Sequence, residues 1–161
     1  MSDQKKLREH LRSLLGGGGA HIDFDRALEG FPLDLAGKRI PGLDHTAWML
    51  IYHLRIAQWD ILEFSINPAH TSPEYPAGYW PGADAPSTGE EWRQTVASFR
   101  ADLQATMDLV ADEGNDLVEP FAHGSGQTLL REALLAADHN AYHIGQLVDI
   151  RMLLGVPVRD Y

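Results

Sequence analysis

The sequence predicts an all-α fold, a four-helix bundle, on three observations. Apolar residues recur at three- and four-residue spacing through most of the chain. No alternating β-branched run reads as a strand. Four substantial segments each carry an apolar face that must be buried against another element. At 161 residues, the chain is read as one domain over 1–161, large enough to build a core without disulfides or structural metal.

The first helix is expected from Ser2 or Asp3 to Leu15, with Leu7, Leu11, Leu14 and Leu15 to one side. The run Gly16–Gly19 stops it, because consecutive glycines cost too much backbone entropy to continue a helix. This run is not a phosphate loop: no strand precedes it and no Gly-Lys-Ser/Thr follows. Asp23 caps a short helix through Leu28, and Pro32 and Pro41 punctuate the irregular stretch after it. Asp44 is expected to cap a long second helix, His45 to Phe64. Residues 66–88 carry Pro68, Pro73, Pro76, Pro81 and Pro86 and form a long loop, which either crosses the bundle end or serves function. Ser87 or Thr88 caps a third helix to Ala111, with Glu90 and Glu91 in its first turn, where the helix dipole favours anions. Gly114 to Gly126 lead to the last helix, Gln127 to Leu154, which Gly155 and Pro157 terminate.

Composition excludes several classes. The formal charge is −10, with only 13 Lys and Arg spread along the chain, so there is no basic face to neutralise phosphates and no nucleic-acid partner is expected. The opening residues MSDQKKLREHLRSLL are amphipathic and charged, and no run of about 18 apolar residues follows, so neither an export signal nor a membrane partner is expected. There are no cysteines, which removes disulfides, thiolate metal sites and a Cys nucleophile, and fits a reducing cytoplasm.

Chemistry concentrates in Asp138-His139-Asn140-Ala141-Tyr142-His143-Ile144-Gly145-Gln146-Leu147. His139 and His143 are four apart, which on a helix puts both imidazoles on one face, about 5–6 Å apart at Cβ. With His139 at 0°, His143 falls near about 40°, Glu132 near about 20° and Gln146 near about −20°, beside the main apolar stripe. His53 lies mid-way along the second helix, which is apolar nearly all round and so mostly buried. A buried imidazole needs partners for its ring nitrogens, and three imidazoles from two helices can clasp one cation while leaving a position open. The residues alone leave two readings, a metal site or hydrogen-bonded core histidines. This is not a zincin motif, because Asn140 stands where a glutamate base would be needed, and it lacks the Glu-x-x-His motifs of a di-iron site.

The segments DHNAYHIGQLVDIRMLLG and HTAWMLIYHLRIAQWDILEF, with AHIDFDRAL after the first helix, resemble the DinB-like superfamily of bacterial four-helix proteins. The His-x-x-x-His-x-Gly-Gln pattern near the C-terminus is the most specific part, and the order of elements matches across nearly the whole chain. The resemblance implies an up-down-down-up bundle, a homodimer, and a divalent cation held by three histidines. His53 matches the ligand on the second helix, and His139 and His143 match the pair on the last. It further implies transferases or an isomerase using a low-molecular-weight thiol such as mycothiol or bacillithiol, alongside members without known activity.

A cation on neutral imidazoles lowers the pKa of a bound water or thiol, so a transferase of the thiol-cofactor type or a hydrolase acting on a small molecule is expected. The alternative is a non-catalytic helical dimer, or a small-molecule-binding module with a structural or vestigial histidine site. Zn and Ni both suit imidazole. Asp60 lies near about −20° from His53 but about 10 Å along the axis, and with Glu132 and Gln146 it is placed as a pocket or supporting group. Asp138 and Asp149 point elsewhere, into solvent or salt bridges. Tyr79 and Trp80, on the proline-rich loop, are expected near the pocket. His45 is expected in the first turn of its helix and not as a ligand, His10 and His21 at the surface, and His70 and His123 in loops within reach of the site. Gly145 is expected to permit close helix approach.

Overall fold

The computed structural model describes residues 3–17 and 19–158; the expected start at Ser2 and the glycine at position 18 lie outside them. Among the described residues five α-helices follow in order: α1 (Asp3–Gly16), α2 (Phe24–Leu28), α3 (Ala47–Ile66), α4 (Gly89–Ala111) and α5 (Leu129–Leu153). Single 3-10 turns occur at Leu33–Leu35 and Ala77–Tyr79. Among the described residues there is no strand, only an isolated bridge between Pro120 and Thr128. No helix among them is long and apolar enough to cross a membrane.

Helix starts follow side-chain caps. Asp23, Thr88 and Thr128 accept from the backbone N–H groups of Arg26, Glu91 and Arg131. The cap of α3 departs from expectation. Thr46, not Asp44, closes it, and the helix begins two residues later than His45. The Thr46 hydroxyl accepts from Met49 N at 3.2 Å while donating to the Asp84 carbonyl at 2.6 Å. A carboxylate has no proton for the second bond, so the hydroxyl alone can cap the helix and tie down the 67–88 connection. Asp44 stays exposed, its carbonyl taken by Arg39, which also pairs with Asp84. Beside this tie, Gly37 lets two backbones meet: a Cβ there would sit 2.3 Å from that of Ala85.

α3 packs against both α4 and α5, and so does α1. Two apolar clusters fill the space. One gathers Phe24, Leu50, Leu54, Val96, Phe99 and Leu147. The other gathers Leu11, Leu15, Ile61, Val110, Leu129 and Ala133. On α1 the buried face centres on Leu11 and Leu15, and Leu14, at its edge, is half exposed. Buried Arg8 closes the end of α4, donating to the carbonyls of Val110 and Asp112 at 2.7 and 2.9 Å. Between the two clusters lies a polar layer: Asn140 donates to Gln58 Oε1, and Gln58 Nε2 donates to Thr106 Oγ1, each at 2.9 Å.

Candidate metal centre

One helical turn before that polar layer on α3, His53 is 6% exposed. It meets His139 and His143 of α5, which face it from successive turns. Ring centroids are 4.8 Å apart for His53–His139, 4.6 Å for His53–His143 and 4.5 Å for His139–His143. One ring nitrogen from each lies within 4.8 Å of the others. The closest pair is at 2.9 Å, where His139 Nε2–H donates to His53 Nε2, whose ring carries its own proton on Nδ1. Tetrahedral zinc with bonds of about 2.0–2.1 Å places its nitrogens about 3.3 Å apart, so small ring movements suffice to seat a cation.

The supporting shell decides which nitrogens are offered. His53 Nδ1 donates to the Tyr79 carbonyl at 3.2 Å, and His143 Nδ1 donates to Gln146 Oε1 at 2.7 Å. Each bond puts the proton on Nδ1 and leaves the Nε2 lone pair for an electrophile, the usual second partner of a metal-bound imidazole. His139 Nδ1 is buried with no hydrogen-bond partner. Burial pushes the pKa of both His53 and His139 down to about 4, with neighbouring imidazoles adding to the shift, and burial lowers that of His143 as well. At neutral pH the three rings are therefore uncharged bases sharing one point, which is the donor set a divalent cation requires.

The triad forms one end of a cavity of about 510 Å³. Trp80 is its flat wall, stacked on His53 at 4.0 Å and 4°. His45 stacks on the opposite face of the indole at 4.1 Å. His45 thus precedes α3, outside the first turn where the sequence put it, and its ring braces Trp80. Away from the triad, Asp60 takes two hydrogen bonds, from His70 Nε2 at 2.7 Å and from the Tyr79 hydroxyl at 2.6 Å. Burial, then the bond to Asp60, raises the Tyr79 pKa to about 12, so the phenol keeps its proton.

The structure thus brings His53, His139, His143, Asp60, Tyr79 and Trp80 to one cavity. Gln146 abuts it through His143. Glu132 is not in the wall: it is 2% exposed and pairs with Arg131 at 2.7 Å. Asp138, Asp149, His10 and His21 are exposed. His123 caps the carbonyl of Phe64 at 2.6 Å and lies outside the cavity wall, whereas His70 reaches the wall only through Asp60. Gly145 does not serve close helix approach. It is exposed, and an added Cβ would meet nothing within 4 Å. Sequence reasoning missed Ala57, Ile61, Leu135, Tyr75 and Tyr142 in the wall. Four of these carried a signal, because they stand four or eight residues along α3 from His53, or four before and three after His139 on α5, and share the histidines' helix faces.

A family model described as the DinB superfamily matches residues 20–147, from just before α2 to beyond His143. The chain belongs to the DinB superfamily. No curated protein and no solved structure matches it. Family and geometry agree on a three-histidine group that could hold a divalent metal.

Proposed function

We propose that the protein is a metal-dependent enzyme in which His53, His139 and His143 hold one Zn or Ni ion at the floor of a small-molecule pocket. The observation that carries this reading is the tautomer control on two of the rings: Tyr79 and Gln146 take the Nδ1 protons, so the Nε2 atoms of His53 and His143 carry lone pairs beside a cavity, and that of His53 already receives the His139 Nε2–H at 2.9 Å, where a cation would take the proton's place. When bound, such an ion lowers the pKa of a thiol or water and supplies a nucleophile near neutral pH. Transfer of a low-molecular-weight thiol and hydrolysis are the two reactions that fit. The chain's own residues orient and desolvate: Trp80 holds the His53 plane, and Ala57, Ile61 and Leu135 keep the cavity apolar beside the triad.

The up-down-down-up bundle belongs to the same reading. In support, α3 and α4 both run from the first apolar cluster to the second as numbering rises (Leu54 to Ile61, Phe99 to Val110), while α5 runs back from Ala133 to Leu147. Parallel neighbours α3 and α4 need the long 67–88 connection between them.

The test is metal content by plasma emission on protein purified without an affinity tag. We expect about one ion per chain in the native protein, and its loss in both His53→Ala and His143→Ala. A native protein that carries no metal and takes up neither Zn nor Ni would overturn the reading.

A further inference from the structure

Asp60 is the single charged side chain in the cavity wall, and no lysine or arginine lines it among the described residues. A ligand with a carboxylate or phosphate away from the triad would find no cation to pair with and would face a carboxylate instead. The chain's net charge of −10 adds to that repulsion. Asp60 is also held in place. Its side chain is 14% exposed, and each oxygen already accepts one bond, from His70 and from Tyr79. An ionised carboxylate offers about four lone-pair sites, so one on each oxygen is left over. Seven residues separate Asp60 from His53 on one helix face, about 10 Å along the axis. The surface between is apolar or aromatic: Ala57 and Ile61 from α3, Leu135 and Tyr142 from α5.

Resting on the metal-centred reading above, we propose that the pocket is built for a small molecule with three parts: a thiol or comparable soft head at the histidine end, an apolar or aromatic body, and an ammonium or other N–H donor received by Asp60. Asp60 is the residue that sets charge preference, and Tyr79 and His70 are positioning residues that aim its carboxylate. Tyr79 joins the two ends, since its carbonyl orients His53 while its hydroxyl orients Asp60. Dianionic and polyacidic thiols are disfavoured by the same geometry.

The test uses Co(II)-loaded full-length protein and three thiols of one shape: 4-(aminomethyl)benzenethiol, 4-methylbenzenethiol and 4-mercaptobenzoate. Binding is read from the thiolate-to-cobalt charge-transfer absorption. We expect the aminomethyl probe to bind about tenfold tighter than the methyl probe, and the carboxylate probe at least about tenfold weaker than it. Asp60→Asn brings the aminomethyl-to-methyl ratio to about one. Tyr79→Phe, which keeps the carboxylate, retains a preference for the amine. Equal affinity for the three probes, tightest binding of the carboxylate, or an unchanged ranking in Asp60→Asn overturns the proposal and leaves the metal-centred function standing. The ranking in the native protein decides the matter even where a variant fails to fold. Cobalt uptake with no charge-transfer band from any thiol overturns the thiol reading and this proposal together.

Discussion

Two buried polar clusters join α3 to α5, and they are built on opposite principles. Gln58, Thr106 and Asn140 mix donors and acceptors. The Asn140 amide feeds Gln58, Gln58 feeds Thr106, and the threonine hydroxyl feeds the Asp102 carbonyl at 2.8 Å, so only Asn140 Oδ1 is unspent. About one turn away, His53 and His143 have their protons drawn off by Tyr79 and Gln146, His53 Nε2 accepts the His139 Nε2–H at 2.9 Å, and His139 Nδ1 is left buried without a partner. A cluster that closes on itself repays the cost of burying its polar atoms and holds helices in register. A cluster left with unfilled acceptors repays that cost in full only when a cation arrives. The first is a structural joint and, on the proposed reading, the second is a receptor, although both draw polar side chains from α3 and α5.

The largest test of this contrast is the response to metal. Chelator-stripped protein given Zn or Ni at about a thousand times the dissociation constant gains about 4 kcal/mol, a rise in Tm of about 10 °C by calorimetry. In His139→Leu that rise vanishes. The metal-free stability of this variant changes by less than about 1 kcal/mol, because the lost bond from His139 Nε2 to His53 is offset by removal of a buried Nδ1 that has no partner. A metal-free His139→Leu protein that unfolds at much lower denaturant would break the distinction.

The amide joint behaves the other way. Gln58→Ala strands the Asn140 amide and costs about 2–3 kcal/mol by denaturant unfolding, with or without metal. The combined replacement Gln58→Leu, Thr106→Val and Asn140→Leu loses much less than the sum of its parts, because no polar partner is left behind.

Acid separates the two clusters next. His53 and His139 titrate near 4 in the folded chain against about 6.5 unfolded, so the unfolded state binds more protons in between. Their contribution is fully present above about pH 6.5 and is lost as pH falls toward 4. Between pH 7 and 5, metal-free protein loses about 2 kcal/mol after allowance for solvent screening, and His139→Leu shrinks that loss. Equal acid sensitivity in the two proteins would remove the histidines as its source. The smallest effect is at Gly145. Exposed and helical, with open space where a Cβ would stand, it should accept alanine, with a gain of about 0.5–1 kcal/mol and unchanged metal uptake.

How much was legible in advance varies with the range of the interaction involved. The His139–His143 pair, the Asp23 and Thr88 caps and the helical stripes follow from residues within one or two turns, so periodicity alone exposes them. Thr46 in place of Asp44 was not legible, because the choice turns on Asp84, a residue 38 positions away that needs a donor. Gly145 misled for the same reason: a glycine in an apolar helix signals close approach only if another helix lies over it, and none among the described residues does. Asp60 could be placed on the His53 face by counting turns, but its binding by His70 and Tyr79 depends on how residues 67–88 fold back over α3. His45, counted as a first-turn residue, became the far slice of a His45–Trp80–His53 stack for that reason too.

By itself the sequence determined an all-α chain with its helices nearly in place, acidic and without thiols, and three imidazoles spaced to share a face. Those properties are local, set by side-chain period, caps and composition. Only the tertiary structure decided that His53 meets His139 across 86 residues, which ring nitrogens are bare, and that Asp60 and the Trp80 wall complete a cavity around them. Tautomers are chosen by whatever acceptor lies opposite each ring, and a cavity is the space several elements leave unfilled, so neither exists until the helices have packed.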